Sequence, residues 1–333
     1  MEPEQKVNLD PIMQCPFSKA HKIAKDRYFH HIKVCDKRPE LQPSYTFQIP
    51  FTTPDAHPKQ TLTLEAAYLI EGKIFKIISI FSQELEMFNQ PLAQLNLEVD
   101  VPFHESVKHA PQLKSLAGHI LDSIPVTDLV IEGGAGTGML SAYLAFKDKH
   151  INTETKRRFI LMERERGFKH KFDRYVKFCG ESVERVLCDL RAVDFQKLRS
   201  HYSAQNITVI GKHLCGHATD CVLKWEADHY AIALCCHAKA DGGDLLGVEF
   251  LRDMTPGELY QLCRMTSWQF AWKGQESLDL QQIEKQRLGT FFRQVLDCCR
   301  IKWLKMHKYW VKLVRYCSEV DSPECWLILA GKE

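Results

Sequence analysis

The stretch that most constrains this chain is Val130-Ile131-Glu132-Gly133-Gly134-Ala135-Gly136-Thr137-Gly138-Met139-Leu140. Asp128 to Ile131 has the apolar density of a short buried strand. A glycine-rich turn follows, and Met139 to Phe146 presents the apolar face of a helix. Glycines let the backbone turn sharply and approach a ligand with no Cβ in the way. The helix behind them directs its free N–H groups at whatever occupies the turn. Spacing narrows the ligand. A dinucleotide fingerprint requires G-x-G-x-x-G; Gly134 and Gly136 fit, but Met139 stands where the third glycine is needed.

The pattern present is E-x-G-x-G-x-G, which resembles the opening of class I methyltransferases and implies S-adenosylmethionine as cofactor. A tight structural loop is the plainer alternative. Glu163 closes the next expected strand, Phe159 to Glu163, where an acid can accept hydrogen bonds from a ribose diol. On this reading Glu132, Gly134, Gly136 and Gly138 face the amino-acid part of the cofactor, and Glu163 faces the ribose. Asp189, just past the third strand, accepts from the adenine amine or caps a turn.

From 126 to 333 the sequence alternates strand and helix patterns, which predicts an α/β, Rossmann-like parallel sheet with right-handed crossovers. The strand candidates are Asp128–Glu132, Phe159–Glu163, Arg185–Cys188, Ile207–Lys212 and Ala231–Cys236. Helices fit Thr137–Lys149, Gly167–Phe178, Ala192–Ser200 and Ala218–Glu226. Arg300–Tyr316 and Glu324–Ala330 are expected to form a hairpin closing the sheet. Ahead of this domain lies a helical region, 61–125, with helices over Thr61–Glu86 and Gln112–Ile124. Residues 39–60 hold five prolines and read as a linker.

Residues 12–38 form a separate module with the spacing C-x5-H-x9-H-x3-C. Its candidate ligands are Cys15, His21, His31 and Cys35. A helix through Asp26 to Val34 would put His31 and Cys35 on one face, and two thiolates with two imidazoles suit one structural zinc. So short a segment needs the metal for its folding energy. Between Lys19 and Arg38, seven Lys/Arg face two Asp, a local net of 7 − 2 = +5, with Tyr28 and Phe29 among them. Such a module could contact an RNA backbone; a solvated face around a small core fits as well.

The whole chain of 333 residues carries a net charge of only +2, so nucleic-acid binding must rest on local patches of this kind. No signal-like apolar run is present, nor a stretch of about 18 apolar residues able to span a membrane. The 13 cysteines show no secreted framework, which favours reduced thiols in the cytoplasm or nucleus.

Two strand ends concentrate reactive groups. The fourth ends in Gly211-Lys212-His213-Leu214-Cys215-Gly216-His217, the fifth in Leu234-Cys235-Cys236-His237. Lys212 or a histidine, His213 or His237, could act as base or hydrogen-bond partner for a weakly acidic hydroxyl. The Cys/His set could instead hold a second metal, or the cysteines could be small core residues. The first role is favoured for Lys212 and His213, with the cysteines structural. Further on, in Cys263-Arg264-Met265-Thr266-Ser267-Trp268, Arg264 could hold a phosphate and Trp268 could stack on a base; a buried tryptophan beside a paired arginine fits equally.

These blocks together resemble the eukaryotic tRNA 2′-O-methyltransferases that modify nucleotide 4 of the acceptor stem, the Trm-thirteen family. The resemblance is carried by the N-terminal CHHC spacing, IEGGAGTGMLS, FILMERE, IGKHLCGHATD, IALCCH and CRMTSW, in the family's order. It implies methyl transfer from S-adenosylmethionine to a ribose 2′-hydroxyl of tRNA. The finger also resembles those of the gametocyte-specific-factor proteins, RNA-linked modules without a methyltransferase domain. The family usually carries a further Cys-rich finger, which this sequence does not include. It also tends to continue CCHH-x-C-D-W, where this chain reads Cys235-Cys236-His237-Ala238-Lys239-Ala240-Asp241-Gly242. That departure motivates an alternative, a catalytically weak or inactive RNA-binding protein on a methyltransferase scaffold.

Overall fold

The computed structural model describes residues 12–15, 18–24, 31, 43–46, 62–93, 95, 101, 110–151, 157–165, 171–240, 242–272 and 277–333. An antiparallel pair, β1 (Ile12–Cys15) and β2 (Ser18–Ala24), stands apart from the main sheet. Next come α1 (Leu64–Ile77), α2 (Ser82–Glu86) and α3 (Ala110–Ser123). Thr63 caps α1, its hydroxyl accepting from the Ala66 N–H at 3.2 Å, which satisfies one of the orphan donors of the first turn. The single helix expected over Thr61–Glu86 is interrupted by a 3-10 turn at Ile78–Phe81. Ile77, Ile78 and Ile80 crowd there, and β-branched side chains are stiff against the preceding helical turn.

The sheet follows from its apolar runs. In β3 (Leu129–Gly133) all five residues are buried, as expected of a strand covered on both faces. It pairs in parallel with β4 (Arg158–Glu163) on one side and β6 (Ile207–Lys212) on the other. Beyond these lie β5 (Ser182–Leu187) and β7 (His229–Ala233), also parallel. The crossovers carry α4 (Met139–Ile151), α5 (Asp173–Phe178), α6 (Phe195–Tyr202) and α7 (His217–Leu223). Two capping boxes then start α8 (Pro256–Met265), with Thr255 and Glu258, and α9 (Leu280–Met306), with Asp279 and Gln282. Last come β8 (Tyr309–Arg315) and β9 (Trp326–Lys332). β9 runs antiparallel between β7 and β8, giving the order β5-β4-β3-β6-β7-β9-β8. The connections diverge between β3 and β6, a topological switch point at which open α/β sheets bind ligands.

The expected strands at Phe159–Glu163 and Ile207–Lys212 are present, and β3 agrees within a residue. Three expectations shift. β5 starts at Ser182 rather than Arg185, and β7 ends at Ala233, leaving Cys235 and Cys236 in a turn. The strand expected from Arg300 begins only at Tyr309, because Arg300–Met306 is the end of α9. Buried Leu288, Phe292, Val295, Leu296 and Cys299 recur at helical spacing along α9 and carry it through the segment.

The helical region packs directly on this domain. Phe75 of α1 stacks on Phe291 of α9 at 5.5 Å. Glu71 meets Arg287 at 2.8 Å and Glu84 meets Lys305 at 2.7 Å. On α3, the Ser115 hydroxyl donates to the Tyr316 carbonyl at 2.6 Å. Within the proline-rich stretch, Tyr45 is buried in the same core, and its carbonyl accepts from the Asp194 N–H at 2.7 Å.

Candidate active site

A cleft of about 770 Å³ opens across the carboxyl ends of β3, β4 and β6 and the turn after β5. Its floor is the glycine turn. Gly134 and Gly136 line it with φ of +60° and +50°, in the left-handed region where glycine carries no steric penalty. A Cβ at Gly134 would also come within 2.9 Å of Leu214 Cδ2. Gly138 lies between the cleft-lining Thr137 and Met139 but does not itself line the cleft. A Cβ there would lie 2.8 Å from both Asp173 Oδ1 and Leu161 Cδ2, so its glycine lets the start of α4 sit against β4 and α5.

Glu132 is buried at the end of β3. Its Oε2 accepts from the Ser141 N–H at 3.1 Å and from the Ser141 hydroxyl at 2.5 Å, fastening the strand end to the first turn of α4. Burial pushes its pKa up from 4.5 to about 7, although the Ser141 bonds pull the other way. The fold therefore favours the neutral carboxyl. Stability from this group is fully present below pH 4.5 and is lost as pH rises towards about 7. The melting temperature of the ligand-free protein is expected to fall across that interval, with a shallower fall in Glu132→Gln. An unchanged slope in the variant would show that Glu132 titrates normally.

Glu163 lines the cleft and braces the turn. One carboxylate oxygen accepts from the Gly136 N–H at 2.9 Å, the other from the Glu165 N–H at 2.9 Å. A ribose diol would have to share these oxygens. Asp189 lines the cleft and caps the Leu190–Ala192 turn, its carboxylate accepting from the Arg191 N–H. Burial raises its pKa, but the Arg191 side chain and N–H more than offset this and hold it below the usual range. The sequence reading missed Arg185. Its guanidinium donates to the Gly136 carbonyl at 2.9 Å while pairing with Asp173 at 2.7 and 2.9 Å, so it clamps the glycine turn from behind. An arginine inside an otherwise half-apolar strand was the available signal.

At the end of β6, Lys212 Nζ lies 2.8 Å from His213 Nε2, and both line the cleft. Burial lowers the Lys212 pKa. His213 has φ of +65°, a backbone state that costs energy outside glycine. Packing imposes it: Leu214 folds back over Gly211, where a Cβ would lie 2.5 Å from Leu214 Cδ1. The His213 Nδ1 faces Glu324 Oε2 at 3.6 Å and Cys235 Sγ at 3.8 Å.

His237 and Arg264 are not in this cleft, contrary to expectation. His237 is fully buried, its Nε2 2.9 Å from Asp297 Oδ1. Asp297 and Asp220 share Arg300, which grips Asp220 through two bonds of 2.9 and 2.6 Å. The turn after β7 sends His237 inward to α9, so it serves a buried ionic network. Arg264 is exposed on α8 and donates to the Ala238 carbonyl at 2.7 Å, steadying the turn behind Lys239. Trp268 is buried, with Lys285 over its ring at 5.5 Å.

In the N-terminal module Cys15 lies on β1 and His21 on β2. The His21 and His31 rings stand 5.2 Å apart at nearly a right angle. Cys35, and most of the helix expected over Asp26–Val34, lie outside the described residues.

The family model Methyltransferase TRM13 matches residues 111–331, well over half of the sequence. The chain belongs to the TRM13 methyltransferase family. Among similar proteins, the tRNA:m(4)X modification enzyme TRM13 of Scheffersomyces stipitis is 24% identical over 99% of this chain and 91% of its own length. The TRM13 of Schizosaccharomyces pombe is 24% identical over 96% and 95%, and the human homolog 24% over 82% and 69%. The TRM13 match runs from α3 into β9, so it contains every cleft residue named above, while Cys15, His21, His31 and Cys35 lie ahead of it. Among the described residues, no helix is long and apolar enough to cross a membrane.

Proposed function

We propose that this TRM13-family chain methylates a ribose 2′-hydroxyl of tRNA, at nucleotide 4 of the acceptor stem, using S-adenosylmethionine. The observation that carries the reading is the Lys212–His213 pair, 2.8 Å apart, in one cleft with Glu132, Gly134, Gly136, Glu163 and Asp189. The tRNA substrate is supported by relatives named as tRNA modification enzymes that align with nearly the whole chain. The donor set suits the cofactor: Glu132, Glu163 and Asp189 offer oxygen acceptors around one cleft, as an ammonium, a ribose diol and an adenine amine need, and Gly134 and Gly136 bring no side chain to block approach.

When bound, S-adenosylmethionine supplies a methyl group on a sulfonium, so the acceptor oxygen needs only to become nucleophilic. Glu132 and the glycine turn hold and orient the amino-acid end. Glu163 holds the ribose and Asp189 the adenine edge. Lys212, desolvated and so partly neutral more readily than a surface lysine, accepts the hydroxyl proton, with His213 as its hydrogen-bond partner. The rate should then rise with pH and level off below the value of about 10.4 set by an ordinary lysine. A pH–rate profile checks this; a rising limb that persists unmoved in Lys212→Ala would assign the proton to another group.

The N-terminal module holds one structural zinc through Cys15, His21, His31 and Cys35. The convergence of the His21 and His31 rings at 5.2 Å supports this reading. Its basic residues contact the tRNA backbone.

The deciding experiment is methyl transfer to a total tRNA pool lacking the modification, read by nucleoside mass spectrometry, with Lys212→Ala and Glu132→Ala alongside. A new 2′-O-methylnucleoside, lost in both variants, is expected. Binding of cofactor and tRNA without transfer would instead support an RNA-binding scaffold.

A further inference from the structure

The turns after β6 and β7 carry three cysteines, Cys215, Cys235 and Cys236, whose sulfur atoms all lie within 4.8 Å of one another. Cys215 and Cys235 are 3.0 Å apart, and all three are free thiols. Around a tetrahedral zinc, with zinc–sulfur bonds of about 2.3 Å, sulfurs sit about 3.8 Å apart. The one separation of 3.0 Å and the upper limit of 4.8 Å lie within about 1 Å of that value, a difference that side-chain rotation can close. The two turns are already joined: the Gly216 N–H donates to the Cys236 carbonyl at 3.0 Å. Even a Cβ at Gly216 would fall 2.9 Å from the Lys239 backbone.

Core filling does not account for the trio. Cys263, Cys298 and Cys299 are fully buried among apolar side chains, as a packing cysteine is; Cys235 is buried too, but Cys215 and Cys236 beside it are half-buried and Cys215 lines the cleft. Nor does hydrogen bonding, because a thiol is a weak donor and a weak acceptor. A soft ion is what three converging sulfurs bind best.

We infer that Cys215, Cys235 and Cys236 form a zinc site, distinct from the N-terminal module, that ties the ends of β6 and β7 together beside the cleft. His213 and Glu324 flank Cys235 at 3.8 and 3.4 Å and would form the outer shell that orients its sulfur. Binding as thiolates releases protons, so affinity falls in acid. The ion would brace the strained His213 backbone through Cys215, two residues along the same turn, and that benefit to catalysis rests on the role proposed for Lys212. The site itself does not.

The test uses the full chain, stripped of metal with a chelator and kept reduced. Maleimide labelling is followed peptide by peptide by mass spectrometry, with and without added zinc. Zinc is expected to slow labelling of Cys215 and Cys236 by tenfold or more and leave Cys179 and Cys221 unchanged, while Cys15 and Cys35 report separately on the finger. Equal labelling of Cys215 and Cys236 with and without zinc would overturn the site. So would recovery of a Cys215–Cys235 disulfide that forms in the presence of zinc. As a second measurement, Cys235→Ser/Cys236→Ser should hold one zinc fewer per chain than the wild type by elemental analysis, with its near-ultraviolet circular dichroism retained. Equal zinc content in the two would also overturn it. Neither readout depends on methyl transfer.

Discussion

Replacing Lys212 with alanine is expected to slow methyl transfer by about 10²- to 10⁴-fold, the usual contribution of a positioned general base. The loss should fall on kcat, with cofactor affinity changed only a few-fold, because the groups assigned to the cofactor lie on β3, β4 and the turn after β5. Lys212→Arg should fare no better: it keeps the charge but cannot give up a proton near neutral pH. His213→Ala should cost less, since His213 is exposed and acts through its contact with Lys212 at 2.8 Å. Single-turnover transfer with saturating cofactor and tRNA measures all three. Wild-type turnover in Lys212→Ala would remove this residue from the chemistry.

Arg300→Leu is expected to destabilise the fold by about 3–5 kcal/mol, the range found when one partner of a buried ion pair is removed. Arg300 is buried with Asp220 and Asp297, and its loss leaves Asp220 in the core without its cationic partner. Asp297 keeps His237 and Arg293, at 2.9 and 3.7 Å, but Asp220 retains only the Leu246 N–H at 3.1 Å. Changing both members, Asp220→Leu with Arg300→Leu, should recover much of the loss, because apolar replacement of a whole buried pair is often neutral. Denaturant unfolding reads both variants. A loss near that of a surface pair, about 1 kcal/mol or less, would mean the network is not held charged.

The cofactor side of the cleft was legible because its signals are local. Glu132, Gly134, Gly136 and Glu163 sit at strand ends or in the turn beside them, where the alternation of a parallel strand and the demand for positive φ both leave marks in sequence. Lys212 and His213 were legible for the same reason. His237 was not. It lies four residues past the end of β7, where strand periodicity no longer dictates direction, and its partner Asp297 is sixty residues away on a helix that the pattern Arg300-Ile301-Lys302-Trp303-Leu304 disguised as a strand. Gly138 carries a second demand that its motif does not show: the first glycines line the cleft, while the last also lets α4 pack against β4 and α5. The capping boxes at Thr255 and Asp279 were readable and would have placed α8 and α9.

The position of β9 has a consequence for how the protein is made. β9 leaves the ribosome after the other strands of this sheet, yet it belongs between two of them. Until it arrives, β7 presents an unpaired edge of the sort that invites wrong partners. Glu324, which stands beside His213, arrives with the same segment. A nascent chain can therefore shape its glycine turn early, but it gains the carboxylate that faces His213, and the strand that covers the β7 edge, only when synthesis has passed β9.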